Sequence, residues 1–309
     1  MQIYQDLKNY SSKKPLALSL GMFDGVHLGH QSILTKLNKI AHSKGLESGI
    51  LTFWPHPRLI FNPEFDLKLL NNYNEKIQQL ENNKIQNLFL QNFDEDFRNL
   101  TGEEFVKQIL IEKLNVKHLI IGHDHTFGKD KSGDFSLLQK MSLEYGFEVQ
   151  QLEAIQLEHT NISSTKIRNS LLDGDILKAN EMLGYYYPIS GKVVHGKKIG
   201  RTIGFPTANV EINPHKLLPK KGAYIVDVII DEKHHHGMAS IGTNPTVNGT
   251  VITLEAYILD FNEDIYDKNI TLHFRDFLHE EIKFSTLENL IVKLKEDEVL
   301  TRKFFEKLN

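Results

Sequence analysis

The sequence contains no cysteine and no long apolar run. The lack of cysteine excludes disulfide bonds, thiolate metal sites and a cysteine nucleophile. Nowhere do about 18 apolar residues follow one another, so no membrane-spanning helix is expected. Residues 1–6 have neither the basic start nor the apolar core of a signal peptide. We therefore expect a cytoplasmic protein with no membrane partner.

An excess of charge of one sign is also missing. The 36 Lys and Arg residues nearly balance the 40 Asp and Glu residues, which gives a net charge of −4. No basic stripe stands out, so a nucleic-acid partner is not expected. The length of 309 residues is about twice the commonest domain size, and a hydrophobic content of 40% fills two cores. We expect two domains.

The most informative stretch is residues 21–30, with the sequence GMFDGVHLGH. It follows an apolar run at 16–20 and precedes apolar residues at helical spacing that end at Gly45, which predicts a strand, a glycine-rich turn and a helix. The free N–H groups and dipole of a helix start favour a bound phosphate. His27 and His30 share one face of the first helical turn. Three glycines, an aspartate and two histidines together favour an anion site over a capped surface turn.

Three further apolar segments alternate with helical patterns in the first half of the chain. They are residues 50–53, 87–90 and 117–121. This order predicts a doubly wound parallel sheet, an α/β fold. A capping box at 101–104 predicts the start of one of the helices. Residues 55–58 and 122–128 follow strands and are expected at the carboxyl edge, where ligands bind in such sheets.

Two polar segments of the first half leave alternatives open. His123 and His125 share a face of an extended segment and suggest a metal, but no third ligand is fixed by spacing, so hydrogen bonding to a ligand or to the backbone is favoured. Residues 160–168, TNISSTKIR, begin a helix. Their hydroxyls either cap that helix or, with Lys166 and Arg168, bind phosphoryl oxygens.

The first half resembles a known family. Residues 21–30, 52–57, 122–128 and 162–168 are similar to motifs of nucleotidyltransferases with an HxGH element, and specifically to the adenylyltransferase half of bacterial FAD synthetases. The resemblance implies ATP at Gly21, Phe23, Asp24, Gly25, His27, Gly29, His30, Ser163, Ser164, Thr165 and Arg168. It implies FMN at Pro55, His56, Arg58 and Asp124. Family members often carry an aromatic residue where His125 stands and an arginine where Lys131 stands.

The reaction implied by this resemblance needs no protein nucleophile. The FMN phosphate is already ionised near neutral pH and attacks the α-phosphorus of ATP, which expels pyrophosphate. Catalysis then depends on positioning and on stabilising the growing charge. His27, His30, the helix start and Mg²⁺ are the expected groups.

After residue 184 the pattern changes to short strands between turns. They are residues 189–194, 223–230, 238–241, 251–259 and 270–274. This predicts an antiparallel β-barrel or sandwich, followed by a C-terminal helix from about Leu287. We expect domains at 1–183 and 184–309. His234, His235 and His236 are expected in a solvated hairpin turn within 231–237.

Three features of the second half contain residues that are candidates for binding or catalysis. The glycine-punctuated loop 196–204 contains three cations and either wraps a polyphosphate or is a solvated hairpin. Thr207 and Asn209 share a face if extended, and their oxygens are donors that Mg²⁺ accepts. Glu255 lies within a strand, where a carboxylate usually faces solvent.

This half resembles the riboflavin kinases. The resemblance rests on residues 200–209, 241–246, Glu255 and 260–261. The resemblance implies that Thr207 and Asn209 hold Mg-ATP and that Arg201 reaches its phosphates, with Gly196 and Gly204 in the same loop. Glu255 is implied as the base that deprotonates the riboflavin 5′-hydroxyl, because an alcohol is not ionised beforehand.

Together the motifs predict two ATP-dependent steps, riboflavin to FMN in the C-terminal domain and FMN to FAD in the N-terminal domain. Two alternatives remain open. In the first, one of the two activities is lost because His125 or His279 stands where the family usually has an aromatic residue or an arginine, respectively. A flavin or nucleotide sensor on the same scaffold would bind without turnover.

Overall fold

The computed structural model describes residues 1–11, 14–61, 64, 66–123, 125–153, 155–157, 160–196, 199–246 and 249–308. The chain forms two compact units. The first comprises Met1–Leu67 and Lys76–Ser163, and the second comprises Lys68–Glu75 and Ser164–Asn309. The second unit therefore includes a short segment from the first half of the sequence.

The first unit is built on a sheet of six parallel strands, as predicted. The strands are β1 (Gln2–Gln5), β2 (Leu16–Leu20), β3 (Glu47–Phe53), β4 (Asn87–Gln91), β5 (Val116–Gly122) and β6 (Glu148–Leu152). Their spatial order is β1-β4-β3-β2-β5-β6. From β2 the chain adds β3 and β4 on one side, and it then returns to add β5 on the other side of β2. The carboxyl end of β2 is thus the switch point of the sheet, where ligands bind in this architecture.

Helices connect these strands. They are α1 (Leu28–Lys44), α2 (Pro57–Phe61), α3 (Tyr73–Asn82), α4 (Glu95–Asn99), α5 (Gly102–Glu104) with a π-helix over Phe105–Lys113, and α6 (Phe135–Tyr145); 3-10 turns cover Leu7–Asn9 and Lys129–Lys131. The predicted end of α1 is confirmed, since Gly45 adopts the left-handed conformation at its C-cap. The predicted capping box is also confirmed, with Thr101 and Glu104 bonded reciprocally.

The second unit is a closed barrel of six antiparallel strands, as predicted. After two short paired strands, β7 (Gln156–Leu157) and β8 (Thr160–Asn161), that still belong to the first unit, the barrel strands are β9 (Tyr187–Val194), β10 (Thr207–Val210), β11 (Gly222–Ile230), β12 (Lys233–Thr246), β13 (Gly249–Ile258) and β14 (Asn269–Glu280). Around the barrel they follow the order β10-β13-β12-β11-β14-β9. Closure pairs β10 with β9 and leaves no free edge.

Four helices accompany the barrel, namely α7 (Ser164–Asp173), α8 (Ile176–Leu183), α9 (Ile199–Thr202) and α10 (Leu287–Glu306). The buried Asn180 joins α8 to the barrel, because its amide donates to the Phe274 carbonyl and accepts from the Tyr187 N–H. Residues 164–183 pack with the barrel for this reason. The functional boundary between residues 183 and 184 stays a prediction. None of the helices in the described part of the chain is long and apolar enough to cross a bilayer.

The segment Lys68–Glu75 is bonded to the barrel by backbone and side chains. Leu69 exchanges backbone hydrogen bonds with His215 and Leu217. The buried Glu75 carboxylate lies 2.6 Å from Lys216 Nζ and accepts the Ser190 N–H at 2.8 Å. The two opposite charges are buried together and each is hydrogen-bonded, which offsets the free-energy cost of removing them from water.

The predicted position of the histidine run was wrong. The turn consists of Asp231 and Glu232 alone, both with positive φ, so His234, His235 and His236 lie in β12. Two central residues with positive φ give the twist that matches a hairpin. His236 hydrogen-bonds Asp227 at 3.1 Å and stacks on Phe305 at 3.7 Å between ring centroids.

Candidate functional site

The turn after β2 has an unusual backbone. Gly25 has a φ of +83°, and Phe23 and Val26 have φ values of +47° and +33°. Positive φ costs energy in residues with a side chain and is found where surrounding structure enforces it, commonly at functional sites. The turn delivers the chain to His27, which is the N-cap of α1 and accepts a hydrogen bond from the His30 N–H at 3.4 Å.

The two histidines form a stacked pair. Their ring centroids are 3.8 Å apart with an interplanar angle of 19°, and a Cβ at Gly29 would lie 3.1 Å from the His27 ring. Burial lowers the pKa of His27 to about 4 and lowers that of His30 well below its ordinary value. Both rings are therefore neutral near pH 7. Because Nδ1 of His27 accepts, its proton is on Nε2, a donor suited to a phosphate oxygen.

A buried lysine lies against the same turn. Lys76 on α3 is 4% exposed, and its Nζ donates to the Met22 carbonyl at 2.6 Å and to the Thr52 hydroxyl at 2.8 Å. Burial lowers the pKa of Lys76 to about 8, and the charge of Asp24 acts in the opposite direction. Sequence reasoning missed this residue, since it stands in an ordinary polar, amphipathic segment.

An aromatic cavity of about 590 Å³ opens beside the turn and includes Gly21 and Met22 in its lining. Its walls carry five phenylalanines, Phe53, Phe93, Phe97, Phe105 and Phe127. Three cations, Arg58, Arg98 and Lys131, also line it. Such a cavity suits a flat aromatic ring with an anionic substituent. Phe93, Phe97, Phe105 and Arg98 were not foreseen, although the spacing of Phe93 and Phe97 would place them on one helical face.

One of the predicted flavin contacts is in the lining of this cavity. Arg58 lines it. His56 accepts a hydrogen bond from the Arg58 N–H at 3.2 Å, at the start of α2, and Pro55 precedes it. Asp124 lies outside the described residues. His125 lines the cavity beside Phe127, and within the described ranges no group of three or more acidic or histidine side chains is arranged to hold a metal ion.

The hydroxyl-rich motif begins α7. Ser163 is the last residue of the first unit, whereas Ser164, Thr165 and Arg168 belong to the second. The Arg168 guanidinium donates through Nε to the Lys68 carbonyl at 3.0 Å. Binding of ATP phosphates by these four residues stays a prediction.

In the barrel, the predicted base and the predicted ATP-binding threonine are in direct contact. Thr207 Oγ1 donates to Glu255 Oε2 at 2.9 Å. Asn209 is the register partner of Glu255 across β10 and β13. Glu255 is half-buried while its neighbours Leu254 and Ala256 are buried, as alternation along a strand requires. The carboxylate is held in a fixed orientation rather than free in solvent.

The glycine-rich loop approaches these side chains closely. A Cβ at Gly196 would overlap the Asn209 amide, so a larger residue there would displace that side chain. Gly204 has a φ of +84° just after α9. Exposed Arg201, on α9, lines a cavity of about 480 Å³ together with Thr207 and Tyr266. Lys197 and Lys198 lie outside the described residues. The acidic and aromatic lining at 261–266 was not foreseen as part of the site.

The donor set in the barrel fits a hard divalent cation. Thr207 and Asn209 present hydroxyl and amide oxygens from β10, beside the Glu255 carboxylate on the neighbouring β13. Mg²⁺ prefers such oxygen ligands and commonly completes its shell with water and nucleotide phosphates.

Each of the two units matches the model of a known protein family. The family model described as FAD synthetase matches residues 9–166, and that described as riboflavin kinase matches residues 183–305. A Listeria monocytogenes protein named bifunctional riboflavin kinase/FMN adenylyltransferase is 39% identical over 293 residues, 94% of this chain and 93% of its own. The equally named protein of Escherichia coli K12 is 36% identical over 308 residues, 99% and 98% of the two chains.

A solved structure has the same fold throughout. It is named a macrolide-efflux protein from Streptococcus pneumoniae, is 33% identical, and covers 98% of this chain and 99% of its own with a TM-score of 0.90. The fold of both units is therefore shared by a crystallised relative.

Proposed function

Because this chain belongs to the bifunctional riboflavin kinase/FMN adenylyltransferase family, we propose that it makes FAD from riboflavin in two ATP-dependent steps. The barrel unit phosphorylates riboflavin to FMN. The parallel-sheet unit transfers the adenylyl group of ATP to FMN and releases pyrophosphate. The family membership carries this proposal, supported by a separate nucleotide-type site in each unit.

The sheet unit has the features that adenylyl transfer requires. The flavin ring enters the cavity lined by phenylalanines, and its phosphate faces the turn through Gly21 and Met22. His27, His30 and the start of α1 donate hydrogen bonds to the triphosphate. Because both histidines are neutral, they stabilise the departing pyrophosphate as donors, which requires no change of protonation. Ser163, Ser164, Thr165 and Arg168 are proposed as further ATP ligands.

The barrel unit has the base that an alcohol requires. Glu255 accepts the proton of the riboflavin 5′-hydroxyl as the oxygen attacks the γ-phosphorus of ATP; the bond from that phosphorus to the β–γ bridging oxygen breaks and ADP leaves. The hydrogen bond from Thr207 orients that carboxylate. Arg201 and the glycine-rich loop bind the phosphates.

Mg²⁺ is part of the proposal, with Thr207 and Asn209 as its protein ligands. When bound, it neutralises phosphate charge. The reactants, ATP and flavin, are cytoplasmic metabolites in a cell that makes its own cofactors, and a cytoplasmic location is proposed on that ground.

Flavin chromatography tests the function. The wild-type chain given riboflavin and Mg-ATP is expected to yield FMN and FAD. Glu255→Gln is expected to lower FMN formation by about 10²-fold or more while FAD still forms from supplied FMN. His30→Gln is expected to give the reverse pattern, so each variant controls for the folding of the other. Formation of neither product by the wild type would refute the proposal.

A further inference from the structure

The buried Lys76 is unexplained by the sites described above. Its ammonium group is almost completely removed from water, and both of its hydrogen-bond partners, the Met22 carbonyl and the Thr52 hydroxyl, are neutral. Burying a cation against neutral partners costs free energy that a methionine or leucine of similar size would avoid. Buried ionisable groups of this kind concentrate at functional sites.

The two partners of Lys76 come from two loops that meet at the site. Met22 belongs to the turn with His27 and lines the aromatic cavity. Thr52 is the next-to-last residue of β3, directly before the loop that leads to Arg58. Since β2 and β3 are adjacent parallel strands, one ammonium group fixes the ends of both at the edge where the cavity opens.

The charge of Lys76 also acts on the histidine pair. It is one of the causes that lower the pKa of His30, after burial and the influence of His27. A positive charge that disfavours a proton on His30 favours an anion at the same place. The potential that Lys76 creates at the turn therefore has the sign that a triphosphate needs.

We propose that Lys76 is a positioning residue of the adenylyltransferase reaction, which fixes the phosphate-binding turn through Met22 and Thr52 and adds a positive charge to it. This inference rests on the proposed function of the sheet unit. Its effect is expected on FAD formation, because its contacts hold the turn that is proposed to bind the triphosphate.

Substitution of Lys76 tests the proposal. Lys76→Met, which keeps the length of the side chain without its charge or donors, is expected to lower kcat/KM for ATP in FAD formation about 100-fold. The rate of riboflavin phosphorylation should stay within about twofold, because that reaction is proposed for the barrel unit and does not depend on the turn. Lys39→Met, at an exposed position of α1, is the matched control and should leave both reactions unchanged.

The pH profile separates positioning from mere structural support. With the pKa of Lys76 near 8, kcat/KM for ATP in the wild type should fall as the pH rises above about 8, because the ammonium loses its proton. The charged and titratable groups that interact with Lys76 are Asp24 on the turn and His30 on α1. Because burial holds the pKa of His30 well below its ordinary value, His30 stays neutral across this pH range. Lys76→Arg should retain activity and lose this descending limb, since guanidinium stays charged.

Three results would overturn the inference. The first is a Lys76→Met variant with wild-type kcat/KM for ATP. The second is a combined result, in which Lys76→Met slows riboflavin phosphorylation as much as it slows FAD formation and kcat/KM for ATP of Lys76→Arg still falls above about pH 8. The third is a wild type that makes FAD with no change in kcat/KM for ATP between pH 7 and 10. Absence of FAD formation by the wild type would instead refute the proposed function itself.

Discussion

His27 and His30 derive their properties from burial. A histidine 7% exposed and stacked on a second imidazole has little water to stabilise a positive charge. The pKa of His27 falls to about 4 for this reason, so the pair acts through hydrogen bonds over the physiological range. The same burial links the stability of the sheet unit to pH.

We predict that the sheet unit loses stability on mild acidification. The pKa of His27 is about 4 in the fold and near 6.5 when unfolded. Between these values the unfolded chain binds more protons, so stability is fully present above pH 6.5 and declines as the pH falls towards 4. The contribution of His27 is about 3 kcal/mol. The unfolding temperature, measured from pH 7.5 to pH 4, tests this contribution of His27 to stability.

A pair of variants isolates this contribution. His27→Asn keeps an N-cap oxygen without a titrating ring, and its unfolding temperature should change less with pH than that of the wild type. His42→Asn removes an exposed histidine of the same helix and should keep the wild-type slope. Identical slopes for wild type and His27→Asn would contradict the assignment.

The contact between Thr207 and Glu255 gives a second prediction at this scale. Thr207→Val keeps the shape of the side chain and removes the hydroxyl that donates to Glu255. Riboflavin phosphorylation should fall about 10²-fold, because both carboxylate orientation and a proposed Mg²⁺ ligand are lost. FAD formation from FMN is the internal control. Unchanged kinase kcat in Thr207→Val would exclude the orienting role.

The sequence indicates some of these residues and not others. His27, His30, Thr207 and Glu255 stand in dense local motifs, so spacing alone brings them to notice. Lys76 lies 54 positions from Met22 and contacts it only because α3 packs there. The desolvation that neutralises the histidines likewise depends on neighbours that no local pattern names.

At the scale of elements, the segment Lys68–Glu75 contains one member of a buried ion pair with the barrel. Glu75 and Lys216 are 3% and 1% exposed at their side chains. Lys216 also donates to the Leu70 carbonyl at 2.5 Å and lies over the Tyr187 ring. The pair joins the segment to the barrel with every charge satisfied.

Removing one partner of this pair should be costly. Lys216→Met leaves the Glu75 carboxylate buried without its cation, and we expect a loss of about 3–5 kcal/mol in the free energy of unfolding of the barrel unit. Urea denaturation followed through riboflavin kinase activity measures it. The double variant with Glu75→Gln should recover part of the loss.

The matched control is an exposed pair in the same barrel. Lys268 and Asp231 lie 2.7 Å apart with 39% and 62% of their side chains exposed. Lys268→Met should destabilise the barrel unit far less than Lys216→Met does, because water screens and replaces such a contact. Equal losses for the two lysine variants would show that burial of the Glu75 pair does not govern its strength.

Element boundaries were predictable where a local signal exists. The box at Thr101 and Glu104 and the left-handed Gly45 each mark a helix end in the sequence. The hairpin at Asp231 and Glu232 has no glycine or asparagine to mark its positive φ values, so β12 was placed too late and the histidine run was assigned to a turn. The contact of Leu69 with His215 is equally invisible, since pairing between distant segments has no local signature.

At the scale of the whole molecule, each unit contains its own cavity and its own proposed phosphate-binding loop. Alternation of strands and helices predicts the parallel sheet, and closely spaced strands predict the barrel. Barrel closure and the assignment of residues 164–183 to the second unit depend on long-range contacts such as that of Asn180. Two separate sites imply two activities that can be lost independently.

Mixing two single-site variants tests this claim most directly. Glu255→Gln and His30→Gln chains, each given only riboflavin and Mg-ATP, should make FAD at least about 10²-fold more slowly than the wild type, because one is impaired in the kinase step and the other in adenylyl transfer. Mixed in one reaction, they should form FAD, since FMN released by one is a substrate of the other. FAD formation by either variant alone as fast as by the mixture, or no FAD from a mixture in which FMN accumulates, would contradict two independent ATP-dependent sites on this chain.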